Sequence, residues 1–292
     1  MTATAADALI AALGEDIDRL LAAEPEVRAD AWDSVHQMRV ATRRLRSVLR
    51  SYRRLFKRRP AAAMVAELAW LAGLLGVARD AEVRAERFAA LLDSELTEGA
   101  DPDVLGAVTH RLVAAERERY SAAHTEVLGA LDSARYRALR DQLASWRTAP
   151  PLRKARVGGP ADDAFRSVLH RDRARLHRMV GAEVTVAPAD RIELLHDIRK
   201  GAKRLRYSCE AAADTLGGEA DELGSQAKRL QTVLGDHRDA VESRAAILAR
   251  AAEARAAGES TALYSALADA EDRAAGEHLA KYPVTAASLL PG

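Results

Sequence analysis

The sequence predicts an all-α protein, on three observations. Of its 292 residues 64 are Ala, whereas 12 are aromatic and 17 are Gly, which is a composition rich in helix formers and poor in strand formers. Clusters of Pro, Gly and Asp interrupt the chain every ~20–30 residues. Between these breaks apolar residues recur at helical spacing, as in Leu194, Leu195, Ile198, Ala202 and Leu205.

The breaks divide the chain into predicted helices. A first helix precedes residue 30, and a strongly basic helix follows and runs toward a break at Pro60. The next helix is expected in the core, because its uncharged apolar stretch, Leu68–Ala78, is shorter than the ~20 residues that a bilayer crossing needs. Further breaks are predicted at residues 97–103, 148–160, 181–190, 217–218 and 258–260.

Two motifs recur, which predicts a duplicated unit. AWDSVHQMRVATRRLRSVLR near residue 31 resembles RIELLHDIRKGAKRLRYSCE near residue 191, at an offset of 160. LLGVARDAEV resembles VLGDHRDAV at an offset of 159, and we expect a helix junction after Gly76 and Gly235. We therefore predict one domain over residues 1–292, made of repeats 1–147 and 161–292 and joined by a linker at 148–160.

The repeated helix is cationic on one side and apolar on the other. At 100° per residue the first copy's cations fall within an arc of about 80°, and Arg54 and Lys57 continue it. Acidic pairs three residues apart, Asp30 with Asp33 and Asp190 with Glu193, are expected to cap the two helices. The cationic faces hold His36, Arg39, Arg43, Arg46 and Arg50 in the first copy, and His196, Arg199, Lys203 and Arg206 in the second.

The positive charge is concentrated rather than spread over the chain. Residues 35–60 contain ten Lys or Arg and no Asp or Glu, so that the rest of the chain carries −9 within a net charge of +1. A solvated helix face is the plain interpretation. Like charges at i,i+3 and i,i+4 destabilise a helix by a few tenths of a kcal/mol per pair. Their recurrence in both copies therefore favours an anion site.

The expected ligand is a polyanion with closely spaced charges, because the cations recur about every 5 Å along ~20 Å of helix. Arginine donates to several phosphate oxygens at once. Nucleic acid is the alternative ligand, although single-strand binders need aromatic stacking platforms and the only aromatics expected near the basic helices are Tyr52, Phe56 and Tyr207. The chain also has no Asn to read bases.

The repeated pattern H-x-x-R-x-x-x-[RK]-R-x-R, followed in each copy by an LG…RDA segment, resembles the CHAD family, the conserved histidine α-helical domains. The resemblance runs from about Ala6 to Tyr282. It implies two antiparallel helical bundles, an internal pseudo-twofold, and a central basic groove or pore that binds inorganic polyphosphate. Some members begin with a CYTH triphosphatase domain and its E-x-E-x-K strand. That motif is absent, so we expect a stand-alone CHAD protein.

The resemblance also implies which side chains bind. One wall would comprise His36, Arg39, Arg43, Arg44, Arg46 and Arg50, and the other His196, Arg199, Lys200, Lys203, Arg204 and Arg206. The segment FRSVLHRDRARLHRM supplies further candidates on one helical face, with a surface face partnered by Asp172 as the other interpretation. These further candidates are Arg166, His170, Arg173 and His177, together with Arg54, Lys57 and Lys228.

Other classes of function are less favoured by the sequence. We expect no metal and no cofactor, because cations follow each key histidine on its face. We expect no catalysis, because neither a carboxylate cluster for Mg²⁺ nor a P-loop is present. Cys209, the single cysteine, lies on the apolar face as a core residue. Without a basic n-region at the N-terminus, a cytoplasmic location is expected, with polyphosphate granules and their proteins as partners and no membrane.

Overall fold

The computed structural model describes residues 3–289, apart from the side chain of Pro188. Within these residues every regular element is helical, and the only strand-like pairing consists of two isolated β-bridges, Thr4–Pro160 and Phe56–Leu152. The all-α prediction is therefore confirmed. The elements are α1 (Ala5–Arg28), α2 (Ser34–Ser51), α3 (Arg58–Leu92), a 3₁₀ turn (Glu95–Thr97), α4 (Pro102–Thr109), a π turn (His110–Ala114), α5 (Ala115–Leu131), α6 (Ala134–Trp146), α7 (Lys154–Val157), α8 (Ala161–Glu183), α9 (Pro188–Glu210), α10 (Ala213–Leu216), α11 (Gly218–Ala256), α12 (Ala262–Ala280) and α13 (Tyr282–Ala287).

The described chain divides into two compact units. Unit 1 comprises residues 3–75, 127–231 and 284–289, and unit 2 comprises residues 76–126 and 232–283. Each unit therefore takes segments from both of the predicted sequence repeats. Gly76 and Thr232, which begin the two segments of unit 2, are 156 positions apart, close to the offset of the sequence repeats.

Two local predictions are wrong. Gly76 and Gly235 lie inside the long helices α3 and α11 rather than at helix junctions. The acidic pairs do not form the predicted caps, because Asp33 rather than Asp30 occupies the N-cap position of α2, without a side-chain capping bond, and Ala187 rather than Asp190 occupies that of α9. Asp33 precedes α2 in the left-handed conformation, with φ 60°, and its carboxylate accepts from the side-chain amide of Gln37 at 2.6 Å. The helix α9 begins earlier than predicted, at Pro188, whose fixed φ suits the first helical position.

Unit 1 is built around the two basic helices. Helix α1 packs along α2 and α8 packs along α9, while α2 contacts α9 and α1 contacts α8. The rings of Tyr52 and Phe165 lie 4.9 Å apart and both side chains are fully buried. A Cβ added to Gly201 would lie 2.5 Å from Met179 Cε, so this glycine lets α9 approach α8 closely.

Unit 2 has its own core and a different charge. Phe88, Ile247, Tyr264 and Leu267 are buried together with neighbours from α4 and the π turn. Glu271 is buried and accepts from Arg87 through both carboxylate oxygens, at 2.6 and 2.5 Å. Unit 2 carries 12 Lys or Arg and 20 Asp or Glu, a net charge of −8, which leaves +9 for unit 1. The net positive charge of the protein thus lies in the unit that holds both basic helices.

Among the described helices one, α3, is long and apolar enough to cross a membrane, by length and composition only, with a mean hydropathy of 1.8 over 18 residues. The apolar stretch predicted from the sequence, Leu68–Ala78, is shorter because it contains no charged residue, whereas the 18-residue window allows up to two. Met64, Leu68, Leu71 and Leu75 of this helix are fully buried in unit 1. Burial of these side chains is the behaviour of a core helix.

Candidate anion-binding site

The two basic helices present half-buried cations above a buried apolar face. On α2 the side chains of Leu45, Val48 and Leu49 are buried, and on α9 those of Ile198 and Leu205 are buried. The amphipathic prediction is therefore correct for both helices. The side chains that lie half-buried on the cationic faces are His36, Arg39, Arg43, Arg44 and Arg46 on α2, and His196, Arg199, Lys203, Arg204 and Arg206 on α9, whereas Arg50 and Lys200 are exposed.

Helices α2 and α9 pack together, and charged groups on each helix influence groups on the other. Burial raises the pKa of Tyr207 on α9, and Arg43 of α2 is the largest influence opposing that rise. At a second point of approach, Arg50 and Arg53 each lower the pKa of Arg204 on α9. Guanidinium groups from both helices therefore lie within electrostatic reach of each other.

Burial makes this a costly place for positive charge. It is the main cause of the lowered pKa of Arg46 and of Arg204, and neighbouring arginines lower both pKa values further. The Nε atoms of Arg46 and Arg199 are buried and have no hydrogen-bond partner within residues 3–289. A buried donor without a partner costs ~1–3 kcal/mol. An anion that accepts from these donors and offsets the charge would remove both costs.

Among the residues expected to form the two walls, Arg44, Arg206 and Lys200 form ion pairs in the described part of unit 1. Arg44 contacts the buried carboxylate of Asp16 at 2.8 Å and Glu210 at 2.5 Å. Arg206 contacts Glu210 at 2.7 Å, and Lys200 contacts Asp197 at 2.6 Å. These contacts favour a structural role for Arg44 in particular. Its role as a ligand of the anion stays a prediction.

A buried carboxylate that the sequence did not single out for the site joins three helices beneath it. Asp172 on α8 is 6% exposed, and its Oδ2 accepts from the hydroxyls of Ser51 on α2, at 2.7 Å, and Ser208 on α9, at 2.9 Å. Its charge also favours the cation of Arg204. Asp172 therefore ties the end of α2 to α9. It is not the surface partner that the sequence suggested.

The further candidates on α8 and α11 differ in surroundings. Arg166 contacts Asp162 at 3.1 Å and Glu219 at 3.0 Å, while Arg173 and His177 both contact the backbone carbonyl of Leu289. His170 on α8 and Lys228 on α11 are exposed. The structure thus gives Arg166, Arg173 and His177 protein partners in unit 1, and their part in anion binding stays a prediction.

The helical face of α2 is shorter than predicted. The helix ends at Ser51 because the chain turns at residues 52–57, so Arg54 and Lys57 lie in the connection to α3 rather than on the face of α2. Both side chains are exposed.

The aromatic residues near the site are mostly inaccessible. Tyr52, Phe56 and Tyr207 are 0%, 0% and 5% exposed, so they offer no platform on which a base could stack. Trp32 is a further aromatic near α2 that was not expected there: it is 91% exposed and lies two residues before the helix. Within residues 3–289 no group of three His, Cys, Asp or Glu side chains could hold a metal ion.

Cys209 lies on the buried side of α9. Its side chain is 1% exposed, and burial raises the pKa of its thiol to about 12. The thiol is therefore neutral near pH 7, and since the thiolate is the nucleophile, this residue acts as a core side chain, as the sequence predicts.

The fold and the site define a class of all-helical protein in which two basic helices pack together over one core. A model of the CHAD domain matches residues 11–248, and the chain belongs to this family. The resemblance found in the sequence is thereby confirmed. The family is associated with polyphosphate binding in general.

Solved structures of CHAD proteins share the fold. PptA from Streptomyces chartreusis aligns with a TM-score of 0.73 at 21% identity, over 98% of this chain and 97% of that chain. The CHAD domain from the plant Ricinus communis aligns with a TM-score of 0.68 at 24% identity, over 99% and 92%. At these identities the likeness concerns the fold alone.

The sequence is also similar to two curated proteins of Mycobacterium tuberculosis, from strains CDC 1551 and H37Rv. Each is 40% identical over 265 residues, which is 90% of this chain and 49% of the relative. The chain spans about half the length of the curated relatives it matches.

Proposed function

We propose that this chain binds inorganic polyphosphate, without catalysis, in a basic groove lined by α2 and α9. The observation that carries the proposal is the meeting of desolvated guanidinium groups from both helices around Arg46, Arg50 and Arg204. A chain of phosphates supplies closely spaced charges and oxygen acceptors together. It therefore offsets the repulsion and supplies acceptors for the buried donors of Arg46 and Arg199.

The proposed mechanism is electrostatic and multivalent. Arginines on two packed helices are already positioned, so binding costs little ordering of the protein. Release of counterions makes the affinity fall steeply as salt rises. A longer chain gains affinity because it reaches more cations at once.

A pseudo-twofold relation between the two repeats is part of the proposal. At the repeat offset of 160, Arg44 corresponds to Arg204 and Glu210 corresponds to Arg50. Arg44 contacts Glu210 at 2.5 Å, and Arg204 lies near Arg50. A pair and its image found at one interface are typical of a twofold contact, in which i meets j and j meets i. These contacts support two related walls around one groove.

The cellular setting belongs to the same proposal. We propose association with polyphosphate granules in the cytoplasm, with granule proteins as further partners.

The first test is a titration of long-chain polyphosphate into the protein, in parallel with orthophosphate, single-stranded RNA and duplex DNA. We expect polyphosphate to bind most tightly and Arg43→Glu/Lys203→Glu to lose the binding, because one cation is reversed on each wall. Each lost charge-assisted contact is worth ~1.5–3 kcal/mol, so the affinity should fall at least about 100-fold. Isothermal calorimetry reads the affinity directly.

The matched control is Arg255→Glu/Arg273→Glu, which changes the net charge by the same amount at exposed positions of α11 and α12 in unit 2. This control should bind almost as the wild type does. If both double variants weaken binding equally, the effect is one of net charge, and the groove is not the site.

Nucleic-acid binding is the second candidate function, and exposed Trp32 beside α2 favours it. A base stacked on an aromatic side chain contributes ~1–3 kcal/mol, whereas polyphosphate has no base to stack. We therefore expect Trp32→Ala to leave polyphosphate affinity unchanged. A loss of RNA affinity of about tenfold or more, with RNA binding tighter than polyphosphate in the wild type, would select nucleic acid instead.

A further inference from the structure

A second group of cations lies next to the α2–α9 groove, on two chain segments that are far apart in sequence. The connection between α2 and α3 pairs with the linker between the repeats through the bridge of Phe56 and Leu152. The backbone N–H of Lys57 donates to Pro151 O at 2.7 Å, and that of Arg153 donates to Leu55 O at 2.8 Å. We call the cations brought together in this way the linker patch: Arg53, Arg54, Lys57, Arg58, Arg59, Arg153, Lys154 and Arg156.

The linker patch is rigidly anchored although its charges face water. Leu55 is 8% exposed, Phe56 is 0% exposed and Val157 is 6% exposed, so apolar side chains fix both segments to the core of unit 1. All eight cations are exposed. Buried apolar residues alternate with exposed basic ones, so the backbone is held in place while the charged groups remain in contact with solvent.

No acidic side chain neutralises the linker patch. Residues 53–59 and 151–156 contain no Asp or Glu, and no ion pair of the eight side chains is present within residues 3–289. Some exposed arginines elsewhere in unit 1 are paired, as Arg147 is with Asp18 at 2.6 Å and Arg135 with Glu67 at 2.7 Å. The linker patch differs in that eight exposed cations lie on two paired segments without an acidic residue among them.

The start of α3 adds to the positive potential. Arg58 and Arg59 occupy its first turn, which carries no acidic residue, although the positive end of a helix dipole disfavours cations there. The N-terminus of this 35-residue helix therefore lies at the same surface as Arg58 and Arg59. An anion bound at this end would relieve the repulsion.

The linker patch is continuous with the groove. Arg53 lies two residues after the end of α2 and two residues before Leu55, whose carbonyl accepts from the backbone N–H of Arg153 at 2.8 Å. Its charge also lowers the pKa of Arg204 on α9. A phosphate chain lying in the groove can therefore leave it past Arg53 and continue over Arg153, Lys154 and Arg156.

We propose that the linker patch is a second polyphosphate subsite that selects for chain length. This inference rests on the proposed function. A short chain occupies the groove alone, whereas a long chain fills both subsites and gains affinity because its second contact is intramolecular.

The test compares long-chain polyphosphate with tripolyphosphate on Arg153→Glu/Lys154→Glu/Arg156→Glu. We expect the affinity for the long chain to fall at least about tenfold and that for tripolyphosphate to remain unchanged. The slope of log affinity against log salt should fall by about 2 for the long chain, since each lost phosphate contact contributes ~0.7. The matched control is Arg117→Glu/Arg255→Glu/Arg273→Glu in unit 2.

The outcomes separate the two proposals. If the wild type binds both ligands and the linker variant also binds both as the wild type does, the length-selecting subsite is disproved and the groove stands. If the variant loses both equally, selection by length is disproved, and the short chain does not occupy the groove alone. If the wild type binds neither ligand, the proposed function itself fails and this subsite with it. A neutral variant, Arg153→Gln/Lys154→Gln/Arg156→Gln, should show the same selectivity with a smaller loss, which guards against misfolding of the charge reversal.

Discussion

Replacing Asp172 by Ala should lower the free energy of unfolding of unit 1 by ~3 kcal/mol. The change removes the acceptor of the buried hydroxyls of Ser51 and Ser208. It also removes the negative charge that favours the cation of Arg204 in a site where burial and three other arginines oppose it. Thermal unfolding measured by calorimetry and by circular dichroism should show this loss.

The control for this change is Asp163→Ala, an exposed carboxylate on the same helix, which should alter stability by less than ~0.5 kcal/mol. Asp172→Asn should fall between the two, because its amide oxygen still accepts while the charge is lost. Polyphosphate should recover part of the stability of Asp172→Asn, since bound ligand stabilises the folded state by mass action. Equal stability of Asp172→Ala and Asp163→Ala would show that the network contributes nothing.

The sequence predicted the fold and the basic faces because both depend on local periodicity. Alanine content and apolar spacing specify helices, and the phases of Arg43, Arg46 and Lys203 follow from 100° per residue. The sequence could not predict where long helices continue. Gly76 and Gly235 were expected to mark junctions, but one glycine inside a helix costs only ~1 kcal/mol, and packing on both sides of it compensates.

Contacts between residues that are far apart in the sequence could not be predicted either. Arg44 has the same phase as its basic neighbours, yet it contacts Asp16, which lies 28 residues earlier, and Glu210, which lies in the other repeat. Asp172 appeared as a surface charge because its own helix is basic, although Ser51 and Ser208 enclose it from two other helices. Arg54 and Lys57 were expected to continue the face of α2, but their grouping with Arg153 was not predicted, since the two segments are far apart in sequence and pair through the bridge of Phe56 and Leu152.

The sharpest test of the groove is a pair of substitutions that should move stability and affinity in opposite directions. Burial and Arg50 lower the pKa of Arg46. For a base, a lowered pKa in the folded state means that folding disfavours the charged form, and arginine stays charged throughout the neutral range. Its charge therefore costs stability at every pH at which the protein is studied, unless an anion is bound.

Met in place of Arg46 and Arg199 keeps an apolar stem of similar length but removes the buried Nε donors that have no partner within the described chain. We expect Arg46→Met/Arg199→Met to melt about 2 °C higher than the wild type without ligand and to bind polyphosphate about 100-fold more weakly. Added polyphosphate should then reverse the order of melting temperatures, because the wild type, with its tighter binding, gains more stability from the ligand. A variant that loses affinity and also melts lower would mean that these arginines stabilise the fold. In that case other groups of the protein would already offset the cost of burying these arginines, and the argument for a phosphate chain between α2 and α9 would fail.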